Sequence, residues 1–158
     1  GGFRHATPQN FQSRFTLPEV QTTRAHGLAL YVVYDSPFAC VSDSPDAYAG
    51  QDGLDFIRAV PTTWDAVRFV AGEVGESMAL ARRKGDVWYV GVINNEQARH
   101  LDLPLSFLGK GTFTADIIAD GATPAALTRS RRTVTASDRV ALSLAGAGGA
   151  ALVLRPAP

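Results

Sequence analysis

The run Val87-Trp88-Tyr89-Val90-Gly91-Val92-Ile93 has no polar face. A strand sends alternate side chains to opposite faces, so apolar groups on both faces call for cover on both. Whatever this chain folds into must seat the segment in the centre of a sheet. Lys84-Gly85-Asp86, a compact turn signal, joins it to a second strand from Met78 to Arg82, which makes a hairpin. Phe113 to Ala119, Leu127 to Thr135, Val140 to Leu144 and Ala151 to Leu154 read as further strands. From Ala66 onward, short strands with Gly, Asn, Asp and Pro between them predict an antiparallel β-sandwich. The patch Ala145-Gly146-Ala147-Gly148-Gly149-Ala150 reads as the turn into the last strand.

Before Pro61 the rhythm is different. Thr16-Leu17-Pro18-Glu19 fits a capping box with proline in the first helical turn. Val20, Thr23, Gly27, Leu28, Tyr31 and Val32 then recur at helical spacing, until Asp35-Ser36-Pro37 stops the helix. Phe38-Ala39-Cys40-Val41 is a short apolar run between turn signals and reads as a buried parallel strand. Ser44 as N-cap with Pro45 at N1 reopens a helical signature, and Leu54, Ile57 and Val60 suggest another amphipathic turn or two. The expected fold class is therefore mixed: a terminal β/α unit in residues 1–60, then an antiparallel sandwich in residues 61–158. One strand cannot close a parallel sheet, so the chain reads as a piece of a larger protein, and residues before Pro61 should expose apolar surface.

Composition narrows the function classes. With 46% hydrophobic residues in 158, the chain can bury a real core. Lys+Arg and Asp+Glu are both 15, so no general attraction to nucleic acid or to an anionic membrane follows. The basic cluster Arg129-Ser130-Arg131-Arg132 lacks interleaved aromatics and reads as a solvated face. The longest apolar stretch, Leu28 to Val33, is too short to cross a bilayer. Cys40 is the single cysteine and reads as a small buried apolar group, which excludes an internal disulfide and a Cys-rich zinc site.

Several stretches carry a family likeness. They are Thr22 to Pro37 (TTRAHGLALYVVYDSP), Ser42-Asp43-Ser44-Pro45, Val60-Pro61-Thr62-Thr63-Trp64-Asp65, Gly72 to Glu76 and Ala81 to Gly91. In order and spacing the set resembles the C-terminal region of glycoside hydrolase family 97. Where the family commonly carries Glu-Thr after Trp-Asp, this chain has Ala66-Val67. The resemblance implies a parent with an N-terminal β-sandwich, a central (β/α)8 barrel and a C-terminal sandwich linked in some members to oligomerisation. It implies hydrolysis of α-glucosides or α-galactosides, an oligosaccharide substrate held by the barrel, calcium near the catalytic site, and export to the periplasm or beyond. Residues 1–60 would then be the last helix–strand–helix of the barrel.

Glycoside hydrolysis needs two carboxyl groups across the scissile bond. In the family these, and the calcium-binding glutamates, lie upstream, so neither catalytic residues nor metal ligands carry over. The four glutamates here read otherwise: Glu19 as a cap, Glu73 and Glu76 beside a turn, Glu96 alone. Asp43 and Ser44 follow the expected barrel strand, and barrel sites form at the C-terminal ends of strands. They are candidate substrate-binding residues, with helix capping as the competing reading. Trp64 is a third candidate, able to stack on a sugar or to plug the junction between barrel and sandwich. Trp88 and Tyr89 read as core. His5, His26 and His100 show no metal-ligand spacing, and no Gly-x-Ser-x-Gly elbow occurs. The alternative is a free-standing carbohydrate-binding or oligomerisation sandwich, the latter acting as a homo-oligomer.

Overall fold

A computed structural model describes residues 2–158. Two short strands, β1 (Arg4–His5) and β2 (Glu19–Val20), pair in parallel. Three helices follow: α1 (Arg24–Val33), α2 (Pro45–Tyr48) and α3 (Leu54–Ala59). The rest is antiparallel sheet: β3 (Ala66–Glu73), β4 (Ser77–Lys84), β5 (Val87–Asn94), β6 (Arg99–Pro104), β7 (Phe113–Asp120), β8 (Leu127–Val134), β9 (Arg139–Leu144) and β10 (Gly149–Pro156). Six of these strands form one sheet in the order β3-β4-β5-β10-β7-β8, and β6 pairs with β9 in a second, two-stranded sheet. Face-to-face packing of the two makes a β-sandwich.

The apolar strand sits where its pattern demands. β5 lies between β4 and β10 inside the large sheet. Its inward residues Trp88, Val90 and Val92 pack with Leu152, Leu154, Leu103, Val140 and Leu142 in the sandwich core. On the opposite face Tyr89 joins Ile118, Ala151 and Val153 beneath Leu28 and Val32 of α1. The second cover is thus a helix, seated close because the sheet is nearly bare there. A β-carbon at Gly91 would lie 2.6 Å from the Ala29 carbonyl oxygen, and one at Gly149 would lie 2.8 Å from the His26 Cα. Leu28 and Val32 are fully buried, each contributing about 1.5–3 kcal/mol through apolar area removed from water.

Three expectations for residues 1–60 need correction. Thr16 does not cap a helix; α1 begins eight residues later, with Thr23 as N-cap and its hydroxyl accepting the His26 amide at 3.1 Å. Glu19 instead accepts the Gln12 amide at 2.9 Å, while Ala6 donates its N–H to the Val20 carbonyl. Tertiary anchorage decided between two local caps, because Thr23 also donates to Asp120 on β7 at 2.6 Å. The second correction concerns Phe38 to Val41, which forms no strand; Phe38 is 82% exposed and Val41 and Cys40 are also exposed. A strand needs neighbours for its backbone groups, and none stands beside this segment. Third, Cys40 is accordingly not a buried group. The helix stop before Pro37 and the turns at Pro45 and Leu54 are observed as read. Exposed Phe11, Phe15, Leu17, Tyr34, Phe38 and Val41 give the open apolar surface expected of this region.

Two half-buried imidazoles tie the helical segment to its surroundings. His26 Nδ1 lies 3.0 Å from the Gly148 carbonyl and His5 Nδ1 lies 3.0 Å from that of Thr22. Burial lowers both pKa values, outweighing the favourable carbonyl contacts. A histidine held neutral in the fold binds a proton more readily when unfolded. Stability is therefore full above the unfolded value of about 6.5 and declines as pH falls toward the folded values. Thermal melting from pH 8 to pH 5 should show this decline, and His26→Gln should flatten it.

Candidate functional site

Asp43 and Ser44, two of the three positions singled out from sequence, flank the start of α2. The Arg4 guanidinium pairs with the Asp43 carboxylate, which also accepts the Ser44 amide at 2.8 Å. These two contacts, the arginine first, hold Asp43 below the usual carboxylate range. Ser44 is the N-cap of α2, but its side chain makes no capping bond. Trp64 packs edge-on against Tyr89 with ring centroids 5.4 Å apart. It leans on the outer face of the large sheet, where Val60, Val87 and Leu127 also pack. That contact lies where the helical segment meets the sandwich.

The fold acts on the ionisation of some of the chain's carboxyl groups. Those whose ionisation the fold shifts are Asp43, Asp55, Asp65 and Asp138, and all four move down. Arg129 clasps Asp55 at 2.7 Å and Asp52 at 2.6 Å, the Gly85 amide and Lys84 hold Asp65, and the Thr135 amide holds Asp138. A general acid in glycoside hydrolysis needs the opposite shift, so that it keeps its proton near neutral pH. Each of these four is held ionised by its donors. Glu76 pairs with Arg99 at 2.8 Å. Among the described residues, no three His, Cys, Asp or Glu side chains gather into a group able to hold a metal ion.

The outer surfaces of the sheet differ at its two edges. Along β8, Arg129 and Arg131 reach to Asp52, Asp55 and Asp116, and Asp116 also pairs with Arg155 at 2.8 Å. Such a charged ladder blunts an edge against pairing with another strand. The β3 edge is apolar instead: Val67, Phe69, Val74 and Met78 are exposed on the β3–β4 hairpin. Gly72, Val74, Met78 and Ile93 line a shallow depression beside Phe69.

The family described as glycosyl-hydrolase 97 C-terminal, oligomerisation, matches residues 63–155, from just before β3 to the end of β10. The chain belongs to that family. A retaining α-galactosidase of Bacteroides thetaiotaomicron is 41% identical over 122 residues, covering 77% of this chain and 18% of the relative. A protein of Streptomyces bingchenggensis described as a probable retaining α-galactosidase is 33% identical over 127 residues, covering 80% and 20%. Among solved structures, a glycoside hydrolase family 97 enzyme from Pseudoalteromonas sp. strain K8 in complex with acarbose superposes with a TM-score of 0.82 at 40% identity. That match covers 87% of this chain and 23% of the enzyme. The chain thus spans about a fifth of the length of the curated relatives it matches.

One feature of this family 97 C-terminal domain was hidden in the sequence. The Ala145 to Ala150 patch does turn into β10, but it also cradles the start of α1. Ala147 offers its carbonyl to the Thr23 amide at 3.0 Å, and Gly148 offers its own to His26. Asp120 closes the cradle, accepting the Ala145 amide at 2.8 Å, the Gly149 amide at 2.9 Å and the Thr23 hydroxyl. A lone Asp at a strand end gives no sign of such partners, because they lie 25 to 97 residues away in the chain.

Proposed function

We propose that this chain is the C-terminal part of an α-glycosidase, an accessory and oligomerisation sandwich that leaves bond cleavage to residues elsewhere in the enzyme. The observation that carries this reading is the match of residues 63–155 to the family 97 C-terminal, oligomerisation family. From the two curated relatives we assign the whole enzyme hydrolysis of α-galactosides. α-Glucosides are the second substrate class, favoured by the acarbose complex of the similar Pseudoalteromonas enzyme. A retaining mechanism would need a carboxylate nucleophile and a protonated acid roughly 5 Å apart. The downward shifts of Asp43, Asp55, Asp65 and Asp138 support placing that pair outside this chain. Calcium, implied by the resemblance, is likewise assigned to residues elsewhere in the enzyme.

Residues 1–60 are assigned to the last helix–strand–helix of the barrel, and residues 61–158 to the sandwich. In an intact barrel, Phe38 to Val41 would gain strand neighbours, and the exposed Phe11, Phe15, Tyr34 and Phe38 would be covered. Asp43 and Ser44 would then face the substrate pocket, with Asp43 ionised and oriented by Arg4. Trp64 would close the junction behind them. We assign the enzyme to the periplasm or beyond, a reading whose support is the family likeness. A carbohydrate-binding role fits less well, since Trp88 and Tyr89 are buried and offer no flat aromatic platform.

The test compares the full-length protein carrying this sequence with residues 1–158 alone, on nitrophenyl α-galactoside and α-glucoside. Turnover by the full-length protein and none by the chain is expected. Turnover by the chain itself would overturn the placement of the catalytic carboxylates.

A further inference from the structure

Exposed apolar side chains fall into two groups. The first lies in residues 11–41, where the remainder of a longer enzyme would cover them. Among the described residues, the exposed large apolar side chains beyond residue 60 are Val67, Phe69, Val74 and Met78, all on the β3–β4 hairpin. Phe69 is 66% exposed at the rim of a sheet whose opposite edge is blunted by arginines. An unpaired apolar edge of this kind is a template for another strand and a hazard unless something covers it.

From this we infer that β3 is the contact between two copies of the chain, laid antiparallel across a two-fold axis. This rests on the oligomerisation reading above and names its surface and partner. The argument for a second copy is the charge pattern of the edge. Arg68 lies near the start of β3 and Glu73 at its end, both exposed. A two-fold antiparallel contact is self-complementary: the start of one strand meets the end of the other. It therefore sets Arg68 of each copy toward Glu73 of its mate, twice over, with Phe69 to Gly72 of the two copies between the charge pairs and Val67 beyond them. A parallel contact would set like charges together. The bulge between Phe69 and Ala71 twists the strand and limits backbone pairing to a few residues, so side chains carry most of the contact.

Sedimentation velocity of the full-length protein carrying this sequence tests the inference. The wild type should sediment as a dimer. Phe69→Asp should raise the dissociation constant roughly tenfold or more, with an unchanged circular dichroism melt because the side chain is exposed. Arg68→Glu should weaken the dimer, and adding Glu73→Arg should restore it. Arg132→Glu, on the opposite edge, should leave the dimer intact. A stable dimer indifferent to Phe69→Asp would overturn the β3 contact while leaving oligomerisation standing. A reciprocal charge pair that fails to restore association would overturn the antiparallel two-fold arrangement. A protein monomeric at every concentration would overturn both this inference and the oligomerisation reading.

Discussion

Gly91→Val is expected to unseat α1 and destabilise the protein by about 3 kcal/mol or more. Gly91 lies in the central strand β5, where a β-branched residue would ordinarily be the better strand former. Here a new β-carbon would meet the Ala29 carbonyl oxygen at 2.6 Å and the Val32 and Val33 side chains at 3.0 Å. The first is helix backbone and the second is the Val32 Cβ, fixed to that backbone, so neither can swing aside. The sign of the effect is the informative part. A helix packed as described makes the substitution strongly destabilising, whereas a helix loosely tethered to the sheet would let valine stabilise β5. Denaturant unfolding followed by tryptophan fluorescence, with Trp64 on the outer face and Trp88 in the core, distinguishes the two.

The second large effect is expected at Asp120. Asp120→Ala removes the acceptor for the Ala145 and Gly149 amides and for the Thr23 hydroxyl together. Partly buried donors left without a partner cost about 1–3 kcal/mol each, so the loss should reach roughly 2–4 kcal/mol after local relaxation. Hydrogen exchange gives the sharper readout: the amides of Ala145, Gly149 and His26 should lose protection together, since the last is held by Thr23. Asp120→Asn should be milder, because one oxygen can still accept both amides while the new NH2 meets the Thr23 hydroxyl. A full effect from Asn would mean that charge, and not hydrogen bonding, holds the cradle.

The sandwich was largely legible because its signals are local. Alternation, turn residues and the two-faced run at Val87 to Ile93 located β4, β5, β7, β8, β9 and β10 to within a few residues. β6 was missed since Arg99-His100-Leu101-Asp102-Leu103 has a polar outer face and a short apolar content that resembles a loop. Helix α1 was placed but begun too early: Thr16 and Thr23 are equally good caps in sequence, and only Asp120, 97 residues away, separates them. Phe38 to Val41 shows the reverse failure, a strand-like composition without strand neighbours. Asp43 and Ser44 were found at a helix start as read, yet their pairing with Arg4 depends on a chain reversal that no spacing announces.

The cradle around Thr23 bears on where this domain can be cut and joined in evolution. Family membership begins near Thr63, yet the sheet it describes is finished by a helix that starts forty residues earlier. A gene fusion that copied only the later portion would leave Tyr89, Ile118 and Val153 wet and Asp120 without its hydroxyl donor. Helix α1 thus serves two masters, the barrel it is assigned to and the sheet it roofs, and the two domains cannot be parted there without uncovering one of them.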